Sequence, residues 1–150
     1  THGYSNLSIA LEKPINGVLF GFGHSRFLTR NLNRLISDDD IYYKSYFFRL
    51  NRENGMLLSK WITFYPWLAS DVTFFGVIFV MFFLAKFLAE SWLDALRGDN
   101  IYSIPFFAII FYQFMYLSQG SIVQDGPQLT TFYFLLIMWR VNRKKHVESI

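Results

Sequence analysis

The stretch from Asp71 to Glu90, "DVTFFGVIFVMFFLAKFLAE", decides how the rest of the chain is read. From Val72 to Ala89 its only ionisable residue is Lys86, near the end, where a long side chain snorkels to the interface while its stem stays in hydrocarbon. A run of this length crosses a bilayer, which takes roughly 20 apolar residues. Just upstream, "KWITFYPWLAS" adds Trp61, Tyr65 and Trp67, rings of the kind enriched where membrane meets water, and a helix-bending Pro66. Lys60 to Ser70 is therefore expected at the membrane interface.

Composition supports a membrane protein. Of the residues, 53% are hydrophobic and 21% aromatic, well above an ordinary soluble domain of this length. Charge is uneven: residues 1–70 hold eight Lys/Arg and five Asp/Glu, whereas ionisable side chains are sparse from Asp71 to Arg140. Cysteine is absent, which excludes disulfides, thiolate catalysis and cysteine metal sites. The three His are too scattered for zinc, so no metal is expected. The chain opens on Thr1 and shows no signal peptide, so it is read as part of a longer protein.

A polar break, "ESWLDALRGDN", leads to a second apolar run from Ile101 to Leu117, with Pro105 near its start and Gln113 inside. A third, "QLTTFYFLLIMW", lies between Asp125 and Arg140, about 14 residues or roughly 21 Å of helix against a core of about 30 Å. Either it begins near Ser121 and carries Asp125 inward, or Arg140 and Arg143 snorkel outward. The tail "RVNRKKHVESI" and the loop with Lys86 and Arg97 are basic and belong on the cytoplasmic side. Three spans then put residues 1–70 outside. The expected fold is an all-α integral membrane protein: an external loop over residues 1–58, then a transmembrane region over 59–150 with spans at about 71–90, 101–118 and 122–141.

The external part has its own pattern. "SNLSIALEKP" reads as a helix broken at Pro14, followed by a glycine-rich turn. In "GFGHSRFLTRNLNRLI", Arg26, Arg30 and Arg34 recur every four residues and share one helical face, with Phe27, Leu28, Leu32, Leu35 and Ile36 around the other and Ser25 as a cap. Such a face either lies solvated on lipid or grips phosphate through charge-assisted contacts, with Lys13, Arg49 and Arg52 available to the same basin. "GFGHSR" lacks the spacing of a nucleotide-binding loop and reads as a plain turn. His24 is a candidate base or hydrogen-bond donor. Tyr42, Tyr43, Tyr46, Phe47 and Phe48 either stack on sugar rings or seat the segment among headgroups. "SDDD" reads as a solvated helix terminus. Asp71, an acid at the mouth of a span, must be exposed, paired or functional.

The segment "TFYPWLASDVTFFGVIFVMFFLAKFLAE", its short loop and the aromatic span "FFAIIFYQFMYLSQGS" together resemble the C-terminal end of the Wzy-type oligosaccharide repeat unit (O-antigen) polymerases. The matching positions are Tyr65, Pro66, Asp71, Gly76, Val77 and Ile78; the glycine of that pattern two residues after the Asp is Thr73 here. Upstream, "HGYSNLSIALEKPINGVLFGFG" resembles the large external loop of such proteins.

The resemblance implies a multi-pass enzyme of the bacterial inner membrane that moves a growing glycan from undecaprenyl diphosphate onto another lipid-linked repeat unit. It implies no cofactor, no nucleotide sugar and no nucleic acid; the partners are the lipid-linked oligosaccharides, the bilayer and a regulator of chain length. On this reading Arg26, Arg30 and Arg34 stabilise the departing diphosphate, with Arg49 and Arg52 behind them, and His24 and Asp71 are nominated as the base for the acceptor hydroxyl. A ligase using the same donor, or a transporter of the same lipid-linked sugars, are the alternatives.

Overall fold

The structure, a computed structural model, describes residues 2–15, 18–36, 46–55, 63–118, 120, 121 and 125–147. Among these, every regular element is helical: α1 (His2–Glu12), α2 (Arg26–Ile36), α3 (Tyr46–Asn54), α4 (Phe64–Arg97), α5 (Ser103–Met115) and α6 (Gly126–Val147).

Helix α4 is long and apolar enough to cross a membrane, and only 6% of its most apolar window is buried. Phe75, Ile78, Phe79, Phe82 and Phe83 stand exposed along it, which distinguishes it from the core helix of a soluble domain. It is not straight. Thr73 takes φ 64 and ψ 170 inside the helix, dividing it into a short first limb and a long second one. The second limb alone, from Phe74 to Arg97, rises about 36 Å at helical pitch, more than the roughly 30 Å of hydrocarbon.

Two expectations from the sequence change here. Pro66 sits in the first turn of α4, where its missing N–H costs no ladder bond, so the bend falls at Thr73 instead. Trp67 is not an exposed ring. It is buried against Ala10 of α1 and Leu50 of α3, so the first limb forms the core on which α1 and α3 pack. On that limb Phe64, Leu68 and Ala69 are also buried, with Leu117 packed beside them, and Phe64 N–H donates to Leu117 O at 2.9 Å.

At the other end, Gly98 closes α4 with its N–H returned to Asp94 O and Ala95 O. Asn100 then turns the chain: its side-chain N–H donates to Trp139 O at 2.9 Å and its oxygen accepts from Tyr102 N–H at 3.0 Å. Helix α5 returns along α4, and a cluster of Phe106, Ile110 and Trp139, packed on Phe87 and Phe132, joins it to α6. Trp139 Nε1 donates to Asp94 at 2.9 Å, and Arg143 bridges Asp94 and Glu90 at 3.2 and 2.5 Å. Ring packing and these polar bonds fix how α4 and α6 register. Helix α5, with 13 residues, is shorter than a spanning helix, and the proposed third span falls on α6, whose residues 122–124 upstream lie outside the described residues.

Candidate functional site

The glycine-rich turn ahead of α2 wraps a single carboxylate. Phe20 (φ 46) and Gly21 (φ 99) turn the chain so that the amides of Gly21, Gly23 and His24 converge, while Phe22 N–H turns back to Leu19 O at 3.1 Å. Gly21 N–H and Gly23 N–H donate to Asp71 Oδ1 at 3.0 and 2.6 Å. His24 N–H donates to Oδ2 at 2.8 Å, and His24 Nδ1 stands 2.7 Å from the same oxygen. Convergent amides of this kind form an anion-binding nest. The sequence reading of a plain turn is thus refined: the turn does hold an anion, and the anion is the protein's own Asp71.

Several contacts fix the loop. Leu19 N–H donates to Ser70 O at 2.9 Å, an acceptor that in a regular helix serves residue 74. Thr29 Oγ1 lies 2.7 Å from Phe22 O and 2.8 Å from Ser25 O, tying the turn to the first turn of α2. Gly23 is buried so tightly that a Cβ there would stand 2.8 Å from Ser70 Cβ. The side chains of His24 and Asp71 are 12% and 4% exposed, so the pair sits largely out of water.

The chemistry follows from counting lone pairs. A carboxylate offers about four acceptor sites. Four donors already occupy Asp71, so it is committed to holding the loop and the imidazole. Nδ1 faces a carboxylate and therefore carries its hydrogen, which leaves Nε2 of the neutral ring with a free lone pair. The Nε2 lone pair is the group of this pair able to accept a proton, and Asp71 holds the ring's orientation through Nδ1.

A cavity of about 240 Å³ opens beside the pair. Gly21, His24 and Asp71 form one wall; Leu68, Val80, Leu84, Ile110, Leu129 and Phe132 contribute most of the rest, with Tyr133 and Gln113 as further polar members. The wall draws on both limbs of α4, so the break at Thr73 shapes the space as well as aiming Asp71. The Gln113 amide donates to Gly120 O at 3.2 Å, which gives a polar residue inside the second apolar run a structural role.

The structure brings together two of the nominated residues, His24 and Asp71. Of the other nominated side chains, the described ones lie elsewhere. Arg30 and Arg34 are exposed on α2, and among the described residues no Arg or Lys lines the cavity. Arg26 opens α2, but its side chain falls outside the described residues, as do Tyr42 and Tyr43. Arg49 of α3 donates to Pro14 O, bracing the end of α1, and Arg52 is exposed. Lys13 pairs with Glu53 at 3.6 Å on the same side. The residues that sequence reasoning passed over are Gly21 and Gly23, as donors, and Tyr133. The G-x-G before His24 was the visible signal for the first two. Tyr133 has none, since it reads as one more ring in an aromatic span.

Compared with known proteins, the chain matches no family model, no curated protein and no solved structure.

Proposed function

We propose that the chain serves a membrane-embedded glycosyltransferase reaction, the polymerisation of polyprenyl-diphosphate-linked oligosaccharide repeat units on the outer face of a bacterial inner membrane. One observation carries this reading: a largely desolvated His24, oriented by a saturated Asp71, at the edge of an apolar cavity beside a membrane-type helix.

In this mechanism Nε2 of His24 takes the proton from an acceptor sugar hydroxyl as its oxygen attacks the anomeric carbon of the donor. The bond from that carbon to the diphosphate breaks, and the electron pair leaves with the diphosphate. Burial strengthens the Asp71 carboxylate's hold on the imidazolium, because fewer waters compete for either partner. The basic face of Arg30 and Arg34 follows the turn directly in sequence, and guanidinium groups match phosphate oxygens in geometry as well as charge. Membrane residence, with several spans, belongs to the same proposal.

The test is the glycan profile of cells from which the full-length gene is deleted, then restored. Polymerase activity predicts that deletion leaves acceptors bearing a single repeat unit and that the restored gene returns the ladder. A ligase predicts finished polymer accumulating on the polyprenyl carrier. An unchanged ladder in the deletion strain contradicts both.

A further inference from the structure

The cavity beside His24 is unlike a sugar site. Its polar members are largely committed: Asp71 holds four donors, and the Gln113 amide donates to Gly120 O. What remains is an aliphatic and phenyl wall with His24 and Tyr133 at its polar part. A glycan there would leave most of its hydroxyls without partners, at a cost that burial makes severe. Hydrocarbon has no such groups to satisfy, and filling an apolar space restores dispersion contacts to every atom lining it. The volume, about 240 Å³, lies below the roughly 300–1,000 Å³ that accommodates a whole drug-sized ligand, so the space suits a short length of chain.

We infer that this cavity is the binding site for the start of a lipid substrate's aliphatic chain, the segment next to its phosphate head, with the head delivered at His24. The inference rests on the glycosyltransferase reading for the identity of that lipid, an isoprenoid phosphate. It adds what that reading leaves open: where the carrier is gripped, by which helices, and why the base stands in apolar surroundings. The chain contacts both limbs of α4 together with α5 and α6, so the Thr73 break is what lets one helix present His24's partner and the hydrocarbon wall together.

The experiment is photo-crosslinking of the full-length protein in phosphatidylcholine nanodiscs with a diazirine-bearing geranylgeranyl phosphate, followed by peptide mapping. Labelling is expected on the peptides carrying Val80, Leu84, Ile110 and Phe132, competed by unlabelled polyprenyl phosphate and not by phosphatidylglycerol. Ile110→Trp and, separately, Val80→Phe fill the space and should each lower labelling about tenfold. The second variant guards against loss of folding in the first, and both are compared at matched thermal stability. Labelling confined to the outer faces of α4, labelling unchanged in both filled variants, or equal competition by phosphatidylglycerol overturns the inference. Its fate is separable from that of the proposed function. A His24→Ala protein that labels normally but makes a full ladder keeps the lipid site and rejects the catalytic reading; a ladder that depends on His24 without cavity labelling does the reverse.

Discussion

Gly23 and Asp71 stand 48 positions apart in the chain and touch so closely that a methyl group on the glycine would lie 3.0 Å from Asp71 Oδ1. The same Cβ would stand 2.8 Å from Ser70 Cβ, and both neighbours are buried on the first limb of α4. Gly23→Ala must therefore push the turn away from the carboxylate. The expected cost is about 1–3 kcal/mol, the usual penalty for overpacking, read as a lower midpoint of thermal unfolding in detergent. A variant as stable as the wild type would contradict the packing described.

Thr73 makes the opposite prediction. Its φ of 64 with ψ of 170 falls in a region that essentially only glycine populates, and a β-branched residue is among the worst suited to it. Thr73→Gly relieves about 1–3 kcal/mol of strain and gives back about 0.5–1 kcal/mol in unfolded-state entropy. A net gain of about 1 kcal/mol is expected, visible as a higher unfolding midpoint. A lower midpoint would mean that the Thr73 side chain contributes more than its backbone costs.

Asp71→Asn separates holding from positioning. The substitution keeps shape but turns one acceptor into an N–H donor facing other donors, so the turn loses at least one bond and His24 loses its anchor. Burial makes that mismatch worth about 1–3 kcal/mol. Membrane levels should fall modestly, and the glycan ladder, normalised to protein level, should fall much further. Loss of the ladder in strict proportion to protein would make Asp71 a staple for the turn alone.

The far end of the bundle supplies a control. Asp94 is buried and accepts from both Trp139 Nε1 and Arg143, so Asp94→Ala leaves a fully buried indole N–H without its acceptor. The expected loss is about 1–3 kcal/mol of stability with the ladder unchanged per molecule of protein. A shortened ladder at normal stability would tie this cluster to activity.

Much of this architecture was readable from local sequence. The apolar run from Val72 to Ala89 and the four-residue spacing of Arg26, Arg30 and Arg34 are properties of neighbouring residues, and both fall on helices. What local pattern could not show was partnership over distance. Trp67 has the composition of an interfacial anchor and becomes core only because α1 and α3 fold over it. Pro66 advertises a bend that its place in the first turn makes unnecessary, while Thr73 carries no breaker signal at all, apart from standing where the polymerase-like pattern has glycine. Asp71 reads in sequence as an acid that must be exposed, paired or functional, and His24 as a candidate base or hydrogen-bond donor; nothing in either stretch says that they meet. Gly76 is a local case that only the break explains: a Cβ there would come 2.6 Å from Val72 Cβ, four residues earlier across Thr73.

Whether His24 is the proton acceptor is read from glycan chain length on gels from cells lacking the native full-length gene, complemented with wild type or His24→Ala at matched membrane levels. With His24→Ala the ladder should collapse to single repeat units, since removing a positioned general base costs about 10²–10⁴ in rate. A full-length ladder from His24→Ala would rule that role out and leave the Asp71 nest as a purely structural clasp between the glycine-rich turn and α4.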